Sequence, residues 1–207
     1  MKLLFVRHGE SEANVLREIS NRNLVHPLTP HGRSEAEQLA LSLAGLEVAA
    51  IYSSPLLRAL QTADLAAALG AELTLTDALR ECDCGDIEGR SDDDAWWQLT
   101  TLMTDWADPT LWHRRLPGGE SLLDVRDRLV PFIDTLIDEH RASAATLVLV
   151  GHGGIFRALL PTLLTNVDAA FANAHPITNT GTIVAEYLDG ALVCREWCGE
   201  VVGWVPH

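Results

Sequence analysis

Residues Thr146 to Arg157 read TLVLVGHGGIFR, and Leu3 to Asn14 read LLFVRHGESEAN. Both begin as apolar runs and both stop abruptly, one at His152-Gly153 and the other at Arg7-His8-Gly9. Thr146 to Val150 is a β-branched and leucine run with no charged break, which predicts a central strand covered on both faces. Leu3 to Val6 is a shorter run of the same kind. In open α/β sheets, ligands bind beyond the carboxyl ends of the strands. Two strands that each end in His-Gly therefore aim two imidazoles at one crevice. Each glycine lets the chain turn sharply and brings backbone N–H groups close to whatever sits there.

Around these two runs, strands and helices alternate. LTPHGRSEAEQLALSLAG (28–45) predicts a helix with Thr29 at the N-cap, Pro30 at the first helical position and Gly45 at the end. VAAIYS (48–53) is the next strand. Ser54-Pro55 opens a second helix in the same way, running to about Leu69. Leu79 to Cys84 is expected to be extended, which sets Cys82 and Cys84 on one face. A helix follows from about Gly154 to Leu164. TIVAEYL (182–188), a turn at Asp189-Gly190 and ALVCREWC (191–198) form a closing hairpin. The alternation predicts an α/β three-layer sandwich, with a mostly parallel central sheet flanked by helices, as one domain over residues 1–207.

One stretch departs from the alternation. Residues 89–119, GRSDDDAWWQLTTLMTDWADPTLWHRRLPGG, predict a helical lid insertion over one edge of the domain, with its tryptophans mostly packed inward. Ser91 with Asp94 makes a capping box for a helix reaching about Trp106. Ser121 with Asp124 repeats the device, and Leu122, Val125, Leu129, Ile133, Leu136 and Ile137 then trace a helical stripe.

A chain of 207 residues can bury a substantial core as a single domain. Its net charge of -14 repels nucleic acid and anionic lipid, so a phosphate site must be a local basic pocket in an acidic field. No apolar run approaches the length of a membrane span, and the run after Met1-Lys2 is too short for a signal peptide. These features predict a cytoplasmic protein with no nucleic-acid or membrane partner. Cys82 and Cys84, and Cys194 and Cys198, form no CxxC pair. Free buried thiols fit that spacing better than a four-thiolate zinc site.

Other residues point toward the crevice. Arg58, in the first turn of its helix, brings a cation to a helix N-terminus, a combination that suits an anion. Asn14 can donate its amide to a phosphate oxygen or cap a helix. Glu81 precedes a glycine turn, at the edge of the expected cleft.

RHGESEAN, SSPLLRALQTA, LRECDCGDIEG, PGGES and VGHGGIFR occur in order over nearly the whole chain, and together they resemble the histidine phosphatase superfamily, which includes cofactor-dependent phosphoglycerate mutases and small phosphatases. By this resemblance His8 is the nucleophile that takes the phosphoryl group. Arg7, Asn14, Arg58 and His152 match the phosphate pocket, and Glu81 matches the proton donor. Phosphoryl transfer asks mainly for positioning and for charge on the transferred oxygens. Two guanidiniums, a second imidazole and the Gly153 N–H would supply that charge with no metal and no cofactor. His8 must be neutral to attack, and Arg7 and Arg58 should lower its pKa.

The expected activity is thus a metal-independent phosphatase acting on a small phosphorylated substrate or a phosphorylated protein segment. A phosphoglycerate-type mutase is the second reading, and a non-catalytic phosphate-ester-binding module the third. The chain departs from the family at Cys84 and Ile87, where members often carry an aromatic residue and a tryptophan. ISNRNLVHPLT (19–29) also lacks the Gln-Gly or Gly-Trp pair common before the PLT turn. The short insertion and the GHGG wording favour a phosphatase. Arg114-Arg115 could clamp a substrate carboxylate or second phosphate, or be solvated surface charge. CGDIEGR (84–90) formally fits the Cys-x5-Arg loop of cysteine phosphatases, but Asp86 and Glu88 inside it would oppose a dianion.

Overall fold

The computed structural model describes residues 1–22, 25–67 and 70–203. Strands β1 (Lys2–Arg7), β2 (Val48–Ser53), β3 (Glu72–Leu75), β4 (Thr146–Gly151), β5 (Thr182–Leu188), β6 (Ala191–Trp197) and β7 (Glu200–Val201) form one sheet in the order β3-β2-β4-β1-β5-β6-β7. The β3-β2-β4-β1 half is parallel, while β5, β6 and β7 join antiparallel. The sheet is therefore mixed, and the expectation of a mostly parallel sheet holds only for its first half. Within the antiparallel half, Asp189 and Gly190 both take positive φ, 48° and 89°, which closes the β5–β6 hairpin in a two-residue turn.

Among the described residues, seven α-helices complete the fold: α1 (Glu12–Leu16), α2 (Pro30–Leu43), α3 (Leu57–Ala67), α4 (Asp93–Asp105), α5 (Leu122–His140), α6 (Gly153–Leu163) and α7 (Ala169–Ala174). Thr29 caps α2 by accepting from the Gly32 N–H at 3.0 Å, as the sequence predicts. Ser121 and Asp124 form the capping box of α5. At α4 the cap is Asp92 instead of Ser91; Arg90 grips the Asp92 carboxylate, which accepts from the Ala95 N–H at 3.1 Å. The expected end of α3 at Leu69 lies outside the described residues.

Alternation along the central strands makes the sandwich. Leu4, Val6, Val148 and Val150 face α2 and α3, burying Leu39, Leu43, Ala59 and Ala63. Leu3, Phe5, Leu147 and Leu149 face α5 and α6, against Leu129, Ile133, Phe156 and Leu159. Both faces of the central strands are dry, which is why their sequence shows no polar period.

The segment 79–84 is not a strand; β3 precedes it, unforeseen, and a 3-10 turn spans Asp77–Leu79. The consecutive N–H groups of Cys82, Asp83 and Cys84 are taken by the carboxylates of Glu81, Glu120 and Glu88. With its donors satisfied by side chains, the segment needs no neighbouring strand. All four cysteines are free thiols, three of them buried. Among the described residues, no group of three or more His, Cys, Asp or Glu is placed to share a metal ion, so the cysteines do not assemble as a zinc site. No described helix is long and apolar enough to cross a membrane.

Candidate active site

Strand register brings the two His-Gly motifs together. In the β1–β4 ladder Arg7 pairs with Gly151, so His8 and His152 are neighbours one step beyond it. Their ring centroids lie 5.2 Å apart. Ser53 pairs with Val150 in the β2–β4 ladder, so Ser54 follows at the level of Gly151, and Ser54 Oγ lies 2.8 Å from His152 Nε2.

The partners of His8 dictate its tautomer. Nδ1 faces the Gly9 carbonyl at 2.7 Å, so it carries the hydrogen. Nε2 accepts from Arg58 Nε at 3.0 Å, so it holds the lone pair. Burial, then the charges of Arg58 and Arg7, hold His8 well below the usual imidazole pKa. The nitrogen that faces Arg58 is thus an unprotonated base surrounded by cations, as the sequence leads one to expect.

Arg58 is only 5% exposed. Its Nη1 donates to the Ser20 carbonyl at 2.7 Å and its Nη2 to Asn21 Oδ1 at 3.3 Å. Burial lowers its pKa to about 10, leaving it charged near neutrality. Arg7 donates through Nη1 to the Ile177 carbonyl at 2.6 Å. Asn14 Oδ1 accepts from both the N–H and the hydroxyl of Ser11, at 3.0 and 3.1 Å. The cap thus uses the oxygen of Asn14, and its NH₂ donates to no acceptor among the described residues.

Glu81 has a position that sequence reasoning missed. Its oxygens accept from the N–H groups of Gly154 and Ile155, at 2.9 and 3.0 Å, so the carboxylate sits on the N-terminus of α6. A Cβ on Gly154 would meet both carboxylate oxygens at 2.7 Å, so only glycine allows the contact. Gly153 opens α6, and its N–H has no acceptor within the helix.

These residues surround one cavity of about 380 Å³, with Arg7, His8, Asn14, Arg58, Glu81 and Gly153 in its lining. His152 is not in the lining. It is 1% exposed and lies behind His8, with Nδ1 buried and without a hydrogen-bond partner. On α4, Trp96, Leu99, Thr100 and Met103 form one apolar-faced wall at helical spacing, while Trp97 points outward at 67% exposure. Trp96 Nε1 donates to the Arg17 carbonyl at 2.7 Å, tying α4 to the end of α1.

Several expectations are corrected here. Arg114 and Arg115 are outside the cavity, paired with Asp105 at 2.6 Å and Asp124 at 3.1 Å. Arg157, one helical turn beyond Gly153, lines the cavity instead. Cys84 and Ile87 pack with Ile19 and Ala95 in a small cluster and are absent from the lining. Burial and Glu88 push the Cys84 thiol far up, and Arg90 is half-buried and held by Asp92 and Asp94. A buried, protonated thiol without its arginine is no phosphate-binding cysteine loop.

Burial of the imidazoles has a consequence for stability. Burial and the nearby cations also hold His152 well below the ordinary imidazole value of 6.5. For both rings the unfolded state binds protons first as pH falls. Their contribution is therefore complete above about pH 6.5 and lost progressively below it, by about 1.4 kcal/mol per pH unit for each ring. The urea midpoint of the wild type is expected to drop more steeply between about pH 7 and pH 5 than that of His152→Gln. Parallel pH profiles would show that His152 is not held neutral by the fold.

The family model of the histidine phosphatase superfamily (branch 1) matches residues 3–199. The chain is 29% identical over 211 residues to "Probable phosphoglycerate mutase GpmB" of Salmonella choleraesuis (strain SC-B67), covering 100% of this chain and 94% of the relative. Among solved structures, a mycobacterial glucosyl-3-phosphoglycerate phosphatase complexed with VO3 is similar at a TM-score of 0.82 and 25% identity, covering 96% of this chain and 99% of that one. YhfR of Bacillus stearothermophilus is similar at a TM-score of 0.79 and 28% identity, covering 97% of each chain.

Proposed function

Because the chain belongs to the histidine phosphatase superfamily, we propose that it is a metal-independent phosphatase that hydrolyses phosphomonoesters through a phosphohistidine on His8. The observation that carries this reading is the His8 ring itself, fixed by the Gly9 carbonyl with its Nε2 lone pair facing Arg58 at the cationic end of the cavity. The cavity volume of about 380 Å³ suits a small substrate. The mycobacterial neighbour named as a phosphatase supports hydrolysis.

In the proposed cycle, an entering phosphate draws the Arg58 guanidinium from Nε2 onto its oxygens, joined by Arg7, the Asn14 amide and the Gly153 N–H. Nε2 attacks phosphorus, the P–N bond forms and the ester P–O bond breaks. Glu81 gives its proton to the leaving alcohol oxygen. Glu81 Oε1 accepts from both Ile155 and Cys82, so that proton sits on Oε2, which has a lone pair beyond the one used by Gly154. Water then attacks phosphorus, Glu81 takes its proton, the P–N bond breaks and inorganic phosphate leaves. His152, behind His8 and anchored by Ser54, supports the nucleophile. Helix α4 serves as the lid that covers the alcohol part. We place the reaction in the cytoplasm, where four unpaired thiols stay reduced.

Arginine and histidine supply the charge in this scheme, so exhaustive chelation is expected to leave phosphate release unchanged. A large loss restored only by zinc or magnesium would overturn the mechanism. Phosphate release should be screened over sugar phosphates, phosphoglycerates, nucleotides and phosphopeptides. The name of the Salmonella relative motivates an assay of mutase activity alongside; an isomerised, still phosphorylated product as the main outcome would replace hydrolysis by transfer.

A further inference from the structure

Residues 177–181, which lead from α7 into β5, converge on the end of β1 from the side opposite β4. The Ile177 carbonyl accepts from Arg7 Nη1 at 2.6 Å, and the Gly181 carbonyl accepts from the Arg7 N–H at 3.1 Å. The His8 carbonyl accepts twice, from the Thr180 N–H at 3.3 Å and from Asn179 Nδ2 at 3.2 Å. On the other side, the His8 N–H donates to the Gly151 carbonyl at 3.1 Å. The main chain of His8 is thus held from both flanks of β1.

This loop takes its shape at a conformational cost. Thr180 has a φ of 52°, in the left-handed region that a β-branched residue rarely adopts. The Gly181 N–H closes the turn on the Thr178 carbonyl at 2.9 Å, and a Cβ on Gly181 would meet that oxygen at 2.8 Å. Strain of this kind persists where surrounding contacts over-determine it, and it clusters at functional sites.

Asn179 does more than close the loop. Its Nδ2 also lies 3.4 Å from Asn14 Oδ1, the oxygen that accepts from the N–H and hydroxyl of Ser11. A reversed Asn179 amide would set its own oxygen against two acceptors, so the NH₂ is the end that faces them. With donors from Ser11 and Asn179 around its oxygen, the Asn14 amide is fixed in orientation, and its NH₂ is left for a phosphate oxygen. Asn14 lines the cavity and Asn179 does not.

We infer that Asn179 is a positioning residue for phosphoryl transfer, whose single NH₂ group holds the backbone of His8 and the amide of Asn14 in a fixed relation. Its catalytic consequence rests on the phosphatase reading above.

The test is a double-mutant cycle between Asn179→Ala and Asn14→Ala, read on kcat/KM for p-nitrophenyl phosphate and on the Kd of inorganic phosphate. Neutral hydrogen bonds contribute about 2- to 10-fold each, so Asn179→Ala is expected to lower both quantities by roughly 10-fold. In the Asn14→Ala background one of the two acceptors is gone, and the same substitution should cost only about 3-fold. Asn179→Asp keeps the volume but, ionised, donates to neither oxygen, and is expected to lose at least as much as alanine. Urea midpoints check that the variants are folded; if Asn179→Ala is not, Asn179→Asp carries the cycle. Wild-type values in Asn179→Asp, or equal factors in both backgrounds, would reduce Asn179 to a structural loop residue and overturn the inference while leaving hydrolysis standing. A wild type that binds phosphate but releases none from p-nitrophenyl phosphate would overturn hydrolysis, and the cycle read on the phosphate Kd then decides whether Asn179 orients the pocket.

Discussion

His8→Ala is expected to lower phosphate release by roughly 10⁴-fold or more, as loss of a nucleophile does in enzymes whose residues act as a unit. Rapid quench with labelled substrate should trap a phosphoenzyme in the wild type that is acid-labile and base-stable, as phosphorus on an imidazole nitrogen is. The label should be absent from His8→Ala and present in Cys84→Ser. The physical reason lies in the pocket: His8 is the ring held neutral beside two guanidiniums, whereas Cys84 is buried and kept protonated. His8 is 3% exposed and packed against the Arg58 fork, so the truncated side chain leaves Arg58 without one acceptor but with Ser20 and Asn21 still in place. The phosphate-binding end should therefore survive, and binding of inorganic phosphate by His8→Ala serves as the check on folding. Label on Cys84, or turnover persisting in His8→Ala, would assign the nucleophile elsewhere.

The second large effect falls on Glu81 and depends on the leaving group. An alkoxide leaves poorly and needs its proton in the transition state, whereas a nitrophenolate leaves readily without one. General acid catalysis contributes about 10²–10⁴-fold, so Glu81→Gln should cost roughly that much of the phosphorylation rate on an alkyl phosphate. On an aryl phosphate the first-turnover burst should be nearly unchanged, although loss of the base slows the later hydrolysis of the phosphoenzyme. The burst is the relevant readout because it reports phosphorylation alone. Glutamine can still accept from the α6 backbone through its amide oxygen, so part of the contact with Gly154 and Ile155 is preserved. Equal burst losses on both substrates would make Glu81 a residue that positions α6, and Glu88 would be the next acid to test. Glu88, however, is tied to the N–H groups of Asn21 and Cys84 at 2.8 and 2.9 Å and does not line the cavity.

Much of this arrangement is legible in the chain because its causes are local. A β-branched run without charged breaks can be buried on both faces in only a few ways, and β1 and β4 occupy the centre of the sheet as their composition requires. Thr29-Pro30, Ser121 with Asp124, and Asp189-Gly190 act within four residues of themselves, so their roles in capping and turning survive in any tertiary setting. The capping box expected at Ser91 is not formed: Asp92 caps α4 by itself, accepting from the Ala95 N–H while Arg90 holds the same carboxylate, a choice that propensity alone does not resolve. Two strands ending in His-Gly carry His8 and Gly153 to the lining of one cavity.

What needed tertiary structure is everything set by partners far apart in sequence. Residues 79–84 join no strand of the sheet because Glu120, from the far side of the insertion, and Glu88 take backbone donors there. The lone pair on His8 Nε2 is defined by Arg58, fifty residues away. His152 ranks with the pocket by motif, yet the register of β1 against β4 sets it behind His8 and outside the lining. Arg114 and Arg115 looked available because a sequence does not show which acidic residue a cation will meet; Asp105 and Asp124 meet them here, whereas Arg157 makes no hydrogen bond or ion pair among the described residues. The sequence by itself determined the strands, the caps and the residue types needed for phosphoryl transfer, since these follow from short-range sterics and hydrogen bonding. Only the packing of the sheet and its helices decided which charges cancel inside the protein and which stay open toward the cavity.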